Sequence, residues 1–295
     1  MKIRNNVNLY NRTDMAVEFC KNSNSQKMFG VLSKTIKHDN SVVETIVELK
    51  AKNSLGRERG RYVTIDAPLL FCNEKSNVSS VVCELLKNEI KRLSNKAQNI
   101  LIIGIGNDGL TSDALGPKTL ENIQISRSFN GEKLAGFGKN IPLVSKFSPN
   151  VLGNTGIESF DVVEAVVDKI KPDLLIVIDS LCARSVTRVG QSFQISTAGI
   201  QPGSGVGNRQ KELSVFTLNV PVVAIGVPMV VQTFSLFNDL FSGLGEESSE
   251  FVHELWSELK NSGVGELVVT PKEVDFIVET CAEIITKAIN TALFG

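Results

Sequence analysis

Two aspartates, Asp113 and Asp179, each follow an apolar run of the chain and could together perform acid–base chemistry. Asp113 comes shortly after the run Ile100 to Ile105, and Asp179 directly follows the run Leu174 to Ile178. Two carboxyl groups held close together do not both ionise, so one keeps its proton as an acid while the other activates water. Such a pair is sufficient to hydrolyse a peptide bond. Aspartate also caps helices, and capping is the alternative role for both residues.

The apolar runs before the two aspartates predict neighbouring strands of a parallel sheet. Both runs are short and rich in β-branched residues, which is typical of fully buried strands. A helix that Thr111, Ser112 or Asp113 can cap follows the first run, and the apolar spacing from Gly156 to Lys169 predicts another helix before the second run. A right-handed crossover then brings Asp113 and Asp179 to one sheet edge, where open α/β sheets bind ligands.

The remaining pattern predicts a three-layer α/β/α fold with a mostly parallel sheet and an added β-hairpin. Alternation of polar and apolar residues around a turn favours the hairpin, and helical spacing favours two amphipathic helices that pack on the sheet. The predicted hairpin strands are Thr45 to Lys50 and Arg61 to Ala67, the helices cover Val78 to Leu93 and Val274 to Ile289, and further strands cover Gln191 to Ser196 and Val220 to Val227, the last closed by Pro228. The polar, Asn-rich start of the chain predicts a loosely held arm.

A glycine pattern after the first strand resembles a dinucleotide site but lacks its context. Gly104, Gly106 and Gly109 satisfy G-x-G-x-x-G. The dinucleotide fold needs its helix to begin at the third glycine, whereas the cap candidates Thr111 and Ser112 come later. It also needs an acidic residue at the end of a second strand roughly 20 residues further on, where this chain has a Gly-rich loop. We therefore expect no nucleotide cofactor.

A second glycine cluster lies in the long loop after the predicted strand Gln191 to Ser196. These glycines could cradle a phosphate, but they lie several residues beyond the strand, and no Gly-Lys-Ser/Thr sequence follows them. A main-chain loop shaped for a peptide is an equally good interpretation. The candidate substrate-loop residues at this sheet edge are Asn107, Arg184, Gly203, Ser204, Gly205 and Gly207.

Metal and thiol chemistry lack the ligands and bases that they need. The two histidines, His38 and His253, are distant in sequence from both aspartates, and no His-Glu-x-x-His pattern occurs. Cys182 lies close to Asp179 in sequence, but no histidine base is near it. We therefore expect no metal ion, no other cofactor and no thiolate nucleophile.

Composition predicts an ordinary globular protein without a strong electric field. Lys and Arg number 31 against 32 Asp and Glu, a net charge of −1, so the charge balance favours neither nucleic acid nor an anionic membrane as a partner. The start of the chain lacks the apolar core of a signal peptide, and no stretch approaches the roughly 18 apolar residues of a membrane span. We expect a cytoplasmic protein whose five scattered cysteines are free thiols.

Six motifs resemble, in the same order, those of germination proteases, spore endopeptidases that degrade small acid-soluble spore proteins. The motifs are TSDALGP at Thr111 to Pro117, VLGNTGIE at Val151 to Glu158, IDSLCAR at Ile178 to Arg184, PGSGVGN at Pro202 to Asn208, AIGVP at Ala224 to Pro228 and VTPKEVD at Val269 to Asp275. The sequence RTDMAVE at Arg12 to Glu18 also resembles the region where these proteases process themselves. The resemblance therefore covers nearly the whole chain.

The resemblance implies an atypical aspartic endopeptidase with Asp113 and Asp179 as its catalytic pair. It also implies a precursor that cuts itself, and we place the cut between Asp14 and Met15, so that residues 1–14 are a propeptide and residues 15–295 form the peptidase domain. The implied substrates are small acid-soluble spore proteins in the spore core. The implied assembly is a homo-oligomer, a tetramer in the family, and the family fold is similar to that of hydrogenase maturation proteases.

Five positions depart from the family pattern, and two other functions stay open. Members usually have proline at the position of Ser112 and alanine at those of Ser180 and Cys182, and Ala198 and Gln201 also differ from the usual glycine loop. A nickel-dependent peptidase of the hydrogenase maturation type is one alternative, although it would need a histidine that this chain does not offer near the aspartates. A spore protein that binds a partner without cutting it is the other, and the retention of both aspartates argues against it.

Overall fold

The computed structural model describes residues 13–21, 28–55, 57–72, 77–128, 141–204, 210–241, 258, 261–264 and 267–295. Most of the predicted arm, Met1 to about Asn24, therefore lies outside the described residues. Its described part, residues 13–21, is not loosely held, because Met15, Ala16 and Val17 are buried. Gly205 and Gly207 in the predicted substrate loop and His253 also lie outside the described residues.

Within the described residues, nine strands form one mixed sheet. They are β1 (Val31–Lys37), β2 (Val43–Leu49), β3 (Gly60–Asp66), β4 (Asn99–Gly104), β5 (Leu143–Phe147), β6 (Leu174–Ala183), β7 (Ser192–Ser196), β8 (Val222–Gln232) and β9 (Val268–Val269). The order across the sheet is β1-β2-β3-β7-β8-β6-β4-β5, and β9 pairs with β8. The neighbours β5, β4, β6 and β8 run parallel, whereas the other pairs are antiparallel.

Helices cover both faces of this sheet. They are α1 (Ala16–Lys21), α2 (Val78–Ser94), α3 (Leu115–Glu121), α4 (Leu152–Thr155), α5 (Ser159–Ile170), α6 (Val215–Leu218), α7 (Thr233–Phe241) and α8 (Val274–Phe294). Side chains of α2, α3 and α8 share one apolar cluster with the sheet, and side chains of α5 share another. Among the described residues, no helix is long and apolar enough to cross a membrane.

Alternation along the central strands explains the two apolar clusters. Ile100 and Ile102 of β4 belong to the cluster with α2, α3 and α8, whereas Leu101 and Ile103 belong to the cluster with α5. Successive side chains of a strand point to opposite faces, so a strand buried on both faces must be apolar at every position. The predicted α/β fold with helices on both faces is therefore confirmed.

The predicted hairpin is part of the same sheet and has a third strand. β2 pairs with β3 in the expected antiparallel register, for example Thr45 with Thr64. β3 then pairs with β7, which joins the hairpin to the parallel strands. The sequence prediction missed β1, because most of its residues are exposed and no buried face imposes an apolar alternation.

β6 continues beyond the point at which the sequence predicts its end. β4 stops at Gly104, which pairs with Ile178, so the following stretch of β6 has no β4 neighbour. β6 nevertheless stays paired with β8 as far as Ala183. Asp179 therefore lies within β6, at the step where the sheet loses one strand.

Pro228 does not close β8, contrary to the sequence prediction. Its carbonyl accepts a hydrogen bond from the Gly190 N–H at 2.7 Å. The groups of one residue point to the same side of a strand, so the missing N–H of Pro228 would face the β7 side, beyond the last pair of β7 with β8 at Gly226. A proline is tolerated where no ladder bond is lost.

Two glycines set the closest approach between α3 and the ends of the central strands. A Cβ atom on Gly116 would lie 2.2 Å from the Ile105 carbonyl oxygen and 2.7 Å from that of Ile178. A Cβ atom on Gly104 would meet the Gly116 carbonyl oxygen at 2.4 Å. These contacts are with backbone, which cannot move aside as the tip of a side chain can.

We expect Gly116→Ala to lower the free energy of unfolding by about 1–3 kcal/mol, because the added methyl group overpacks a backbone contact. Gly153→Ala is the matched control, since a Cβ atom there has no neighbour within 4 Å. Urea unfolding of both variants measures the difference. Equal midpoints for the two variants would show that α3 shifts without cost.

Candidate active site

Three aspartates from different parts of the chain line one cavity at the carboxyl edge of β4 and β6. Asp113 comes from the 3₁₀ turn Thr111–Asp113, Asp179 from β6 and Asp14 from the segment before α1. The cavity has a volume of about 410 Å³. The structure thus brings Asp113 and Asp179 to the same sheet edge, as the sequence predicts, and adds Asp14.

Asp113 is held by the turn that follows β4. The Asn107 N–H donates to the Asp113 carboxylate at 3.0 Å and to the Asp113 carbonyl oxygen at 3.1 Å. A Cβ atom on Gly106, where φ is +122°, would lie 1.9 Å from that carbonyl oxygen, so only glycine fits there. Burial raises the pKa of Asp113 to about 6, against the lowering effect of the Asn107 hydrogen bond.

The alternative capping role of Asp113 is wrong. Neither the 3₁₀ turn nor α3 has a side-chain hydrogen bond at its N-cap, and the N-cap residues are Leu110 and Ala114. The Asp113 carboxylate instead accepts from Asn107 and faces the cavity.

Asp179 is the most deeply buried of the three carboxyl groups, and its residue is 5% exposed. Burial raises its pKa well above the ordinary value, and the nearby charges of Asp113 and Asp14 raise it further, whereas the Ser180 N–H lowers it. Because the charge of Asp113 disfavours ionisation of Asp179, the cavity can hold an ionised Asp113 beside a protonated Asp179.

Asp14 binds to the part of β6 that lies beyond the end of β4. Its N–H donates to the Cys182 carbonyl oxygen at 2.9 Å, and its carboxylate accepts from the Cys182 N–H at 2.9 Å and from the Ser204 hydroxyl at 2.7 Å. Its carbonyl oxygen accepts from the Gln194 side chain at 2.9 Å. Burial raises the pKa of Asp14, while the hydrogen bonds that its carboxylate accepts from Cys182 and Ser204 lower it.

Met15 and Ala16 continue the same contact. Met15 is fully buried and packs with Leu181 and Ala183 of β6. The Ala16 N–H donates to the Gln194 side-chain oxygen at 2.7 Å. The peptide bond between Asp14 and Met15 is therefore bordered on both sides by residues bound along β6.

The predicted substrate-loop residues have different roles. Asn107 and Gly203 line the cavity, and Ser204 binds Asp14. Arg184 contributes its main-chain N–H, which donates to Glu18. Gly205 and Gly207 lie outside the described residues.

Four of the five departures from the family pattern lie at the cavity. Ser112, Ser180, Cys182 and Gln201 line it, whereas Ala198 packs against Tyr62 in a separate apolar cluster. The Ser180 hydroxyl oxygen is buried without a hydrogen-bond partner.

Sequence reasoning missed Gln194 and the asparagines behind the Asp113 turn. Asn154 donates to the side-chain oxygens of Asn107 at 2.9 Å and Asn150 at 2.8 Å. Asn154 lies in the motif at 151–158, and that motif could have pointed to it as a site residue. Gln194 lies at an ordinary buried position of β7, and no motif in the sequence pointed to it.

The close packing that a dinucleotide-binding glycine pattern requires does not occur at Gly109. The third glycine of such a pattern should allow a helix to approach the sheet closely. A Cβ atom on Gly109 would meet only the Asn107 side-chain oxygen at 3.2 Å, and the close approach occurs at Gly116 instead.

In the part of the chain that the structure describes, no three His, Cys, Asp or Glu side chains are placed to hold a metal ion. His38 lies on the hairpin side of the sheet, where its ring contacts Glu44 at 3.0 Å. The expectation of metal-independent chemistry stays a prediction.

Comparisons with known proteins agree with the resemblance. Residues 10–244 match the family model described as germination protease. A germination protease of Caldanaerobacter subterraneus subsp. tengcongensis is 38% identical over 268 residues, covering 84% of this chain and 82% of that protein. Those of Clostridium acetobutylicum and Bacillus subtilis are 34% and 33% identical, each covering 96% of this chain and, respectively, 94% and 93% of the relative.

A solved structure of the NiFe hydrogenase maturation protease HycI from Thermococcus kodakarensis KOD1 also overlaps the chain. It is 16% identical, covers 68% of this chain and 99% of its own, and gives a TM-score of 0.36. A TM-score this low does not establish a shared fold.

The family match and the curated relatives define the class of this protein as a protease. The chain belongs to the germination protease family.

Proposed function

We propose that the protein is an endopeptidase that degrades small acid-soluble spore proteins during spore germination, with Asp113 and Asp179 as its catalytic residues. The proposal includes synthesis as a precursor that removes residues 1–14, action in the spore core and a homo-oligomeric assembly. The observation that carries it is that Asp14, the residue before the proposed cut, lines the same cavity as both aspartates and is bound to β6 at Cys182.

In the proposed mechanism the two carboxyl groups have opposite tasks. Ionised Asp113 takes a proton from water as the water oxygen adds to the scissile carbonyl carbon, and protonated Asp179 gives its proton to the carbonyl oxygen. The tetrahedral intermediate then returns a hydroxyl proton to Asp179. Asp113 passes its proton to the amide nitrogen, the C–N bond breaks, and the pair is restored.

Residues around the pair supply binding and orientation. Asn107 fixes the Asp113 carboxylate. The Cys182 carbonyl oxygen accepts from the Asp14 N–H, and the Cys182 N–H donates to the Asp14 carboxylate, so the edge of β6 binds both the main chain and the acidic side chain at this position. A hydrogen bond between a peptide N–H and an exposed strand edge is a general way to hold an extended peptide. In this proposal the segment at Asp14 serves as the template for how a substrate meets β6.

Incubation with a purified small acid-soluble spore protein tests the proposal. We expect fragments that accumulate with time, detected by mass spectrometry, and turnover that survives EDTA. Cys182→Ala should stay active, because its main-chain groups are unchanged and no thiolate takes part.

The two rival functions give different outcomes. Loss of activity in EDTA that nickel or zinc restores would support the hydrogenase-maturation type of peptidase. Stable binding of the spore protein without any cleavage would support a non-catalytic binding protein.

A further inference from the structure

The carboxylate of Glu18 forms a second anchor of the segment that begins at Asp14, which lines the cavity. Glu18 is 6% exposed. One carboxylate oxygen accepts from the Arg184 N–H at 2.8 Å and from the Thr13 hydroxyl, and the other accepts from the Ser185 N–H at 3.0 Å and lies 3.3 Å from the Arg188 guanidinium. Four donors therefore converge on one buried side chain.

The sheet fixes Arg188 independently of this segment. Arg188 is 8% exposed, and its guanidinium also pairs with Asp66 at the end of β3. The Ser192 hydroxyl donates to the same Asp66 oxygen at 2.5 Å. Asp66 and Ser192 are direct partners in the pairing of β3 with β7. The guanidinium is thus preorganised before any polypeptide arrives.

The donors distinguish a carboxylate from an amide of the same shape. Each oxygen of Glu18 accepts from one main-chain N–H, that of Arg184 or that of Ser185. A glutamine would place its NH₂ group against one of these N–H donors, because an amide has only one acceptor oxygen. A buried donor left without an acceptor costs free energy.

On the basis of the function proposed above, we propose that Arg188 is a specificity-determining residue. Together with the N–H groups of Arg184 and Ser185, it forms a pocket that binds a glutamate of the polypeptide to be cut, four residues after the residue at the Asp14 position. The chain's own Glu18 occupies this pocket in the structure. The Arg184 and Ser185 N–H groups of this pocket come shortly after Cys182, the residue whose main chain binds Asp14.

Two synthetic peptides test this pocket. One has the sequence of residues 10–21, and the other differs only by glutamine at the position of Glu18. We expect processed wild-type protein to cleave the glutamate peptide with a kcat/KM about tenfold or more above that of the glutamine peptide, chiefly through KM, because the pocket is remote from the reacting bond. Competition from the protein's own segment affects both peptides equally and leaves the ratio unchanged.

The ratio should fall to about one in an Arg188→Gln/Asp66→Asn double variant. The second substitution neutralises the partly buried Asp66 carboxylate, which would otherwise lose its cation. Arg188→Lys should keep part of the preference because it keeps the charge. Lys171→Gln is the matched control, since this lysine is exposed and pairs only with Asp168 among the described contacts, and it should keep the full ratio.

A binding measurement separates failure of this inference from failure of the proposed function. Asp179→Asn/Glu18→Gln lacks both the proposed acid and its own anchor, and it should bind the glutamate peptide about tenfold more tightly than the glutamine peptide. Equal binding, or a cleavage ratio unchanged by loss of Arg188, would overturn the specificity role. Preferential binding without cleavage of any peptide by wild type would overturn the proposed function alone.

Discussion

Asp113→Asn and Asp179→Asn are each expected to lower kcat for proteolysis by about 10²–10⁴-fold, because each removes one half of the acid–base pair. Asparagine keeps the shape of the side chain, so substrate binding should change little. The double variant should be hardly slower than either single variant, since residues that act as a unit are not additive.

Asp108→Asn is the matched control for the pair. Asp108 lies in the same turn as Asp113 but is exposed and does not line the cavity. Its turnover should equal that of wild type in steady-state assays with the spore protein substrate. Near-wild-type turnover in either variant of the pair would refute the assignment.

The pH dependence of kcat/KM provides a second measurement of the same pair. Activity should fall below about pH 6 as Asp113 becomes protonated, and again at the higher pH where Asp179 loses its proton. A raised pKa in the folded state also means that stability is lost as the pH rises through that value. Asp179→Asn should therefore be at least as stable as wild type at alkaline pH, which excludes unfolding as the cause of inactivity.

Full-length wild-type protein held at mildly acidic pH is expected to lose residues 1–14 and gain activity, while Asp179→Asn stays full length. The reason is that Asp14, which precedes the proposed cut, lines the same cavity as the pair, and at a mildly acidic pH near the Asp113 pKa of about 6 part of Asp113 is still ionised while Asp179 keeps its proton. Intact mass and N-terminal sequencing of both proteins measure the cut.

The rate of this cut should not depend on protein concentration, because the Asp14 of each chain is bound at the edge of that chain's own cavity. A rate that rises in proportion to concentration would instead indicate cutting between molecules. Equal trimming of wild type and Asp179→Asn would show that another protease does the work.

Local patterns were enough to predict the strands that carry the aspartates. The apolar runs before Asp113 and Asp179 form strands that are buried on both faces. Such strands need an apolar side chain at every position, and the sequence shows this directly. The crossover rule then places both carboxyl groups at one edge. Their pairing in one cavity follows from these two facts alone.

Contacts between distant, irregular segments left no such pattern. Asp14 and Glu18 bind β6 and its following turn more than 160 positions away, through main-chain groups that any residue could supply. The extension of β6 depends on its pairing with β8 rather than on its own sequence. Periodicity reports burial, and it does not report which strand edge a polar segment will join.

The depth of Asp179 restricts which proteins this enzyme can digest. Asp179 is 5% exposed, and Met15, Ala16 and Val17, which follow Asp14 in the chain, are almost completely enclosed. A folded protein must therefore release several consecutive residues from its own structure before a peptide bond can come near Asp179, and that local unfolding has a free-energy cost. Susceptibility should then follow the population of locally unfolded substrate, so that disordered chains are consumed while neighbouring folded proteins are spared.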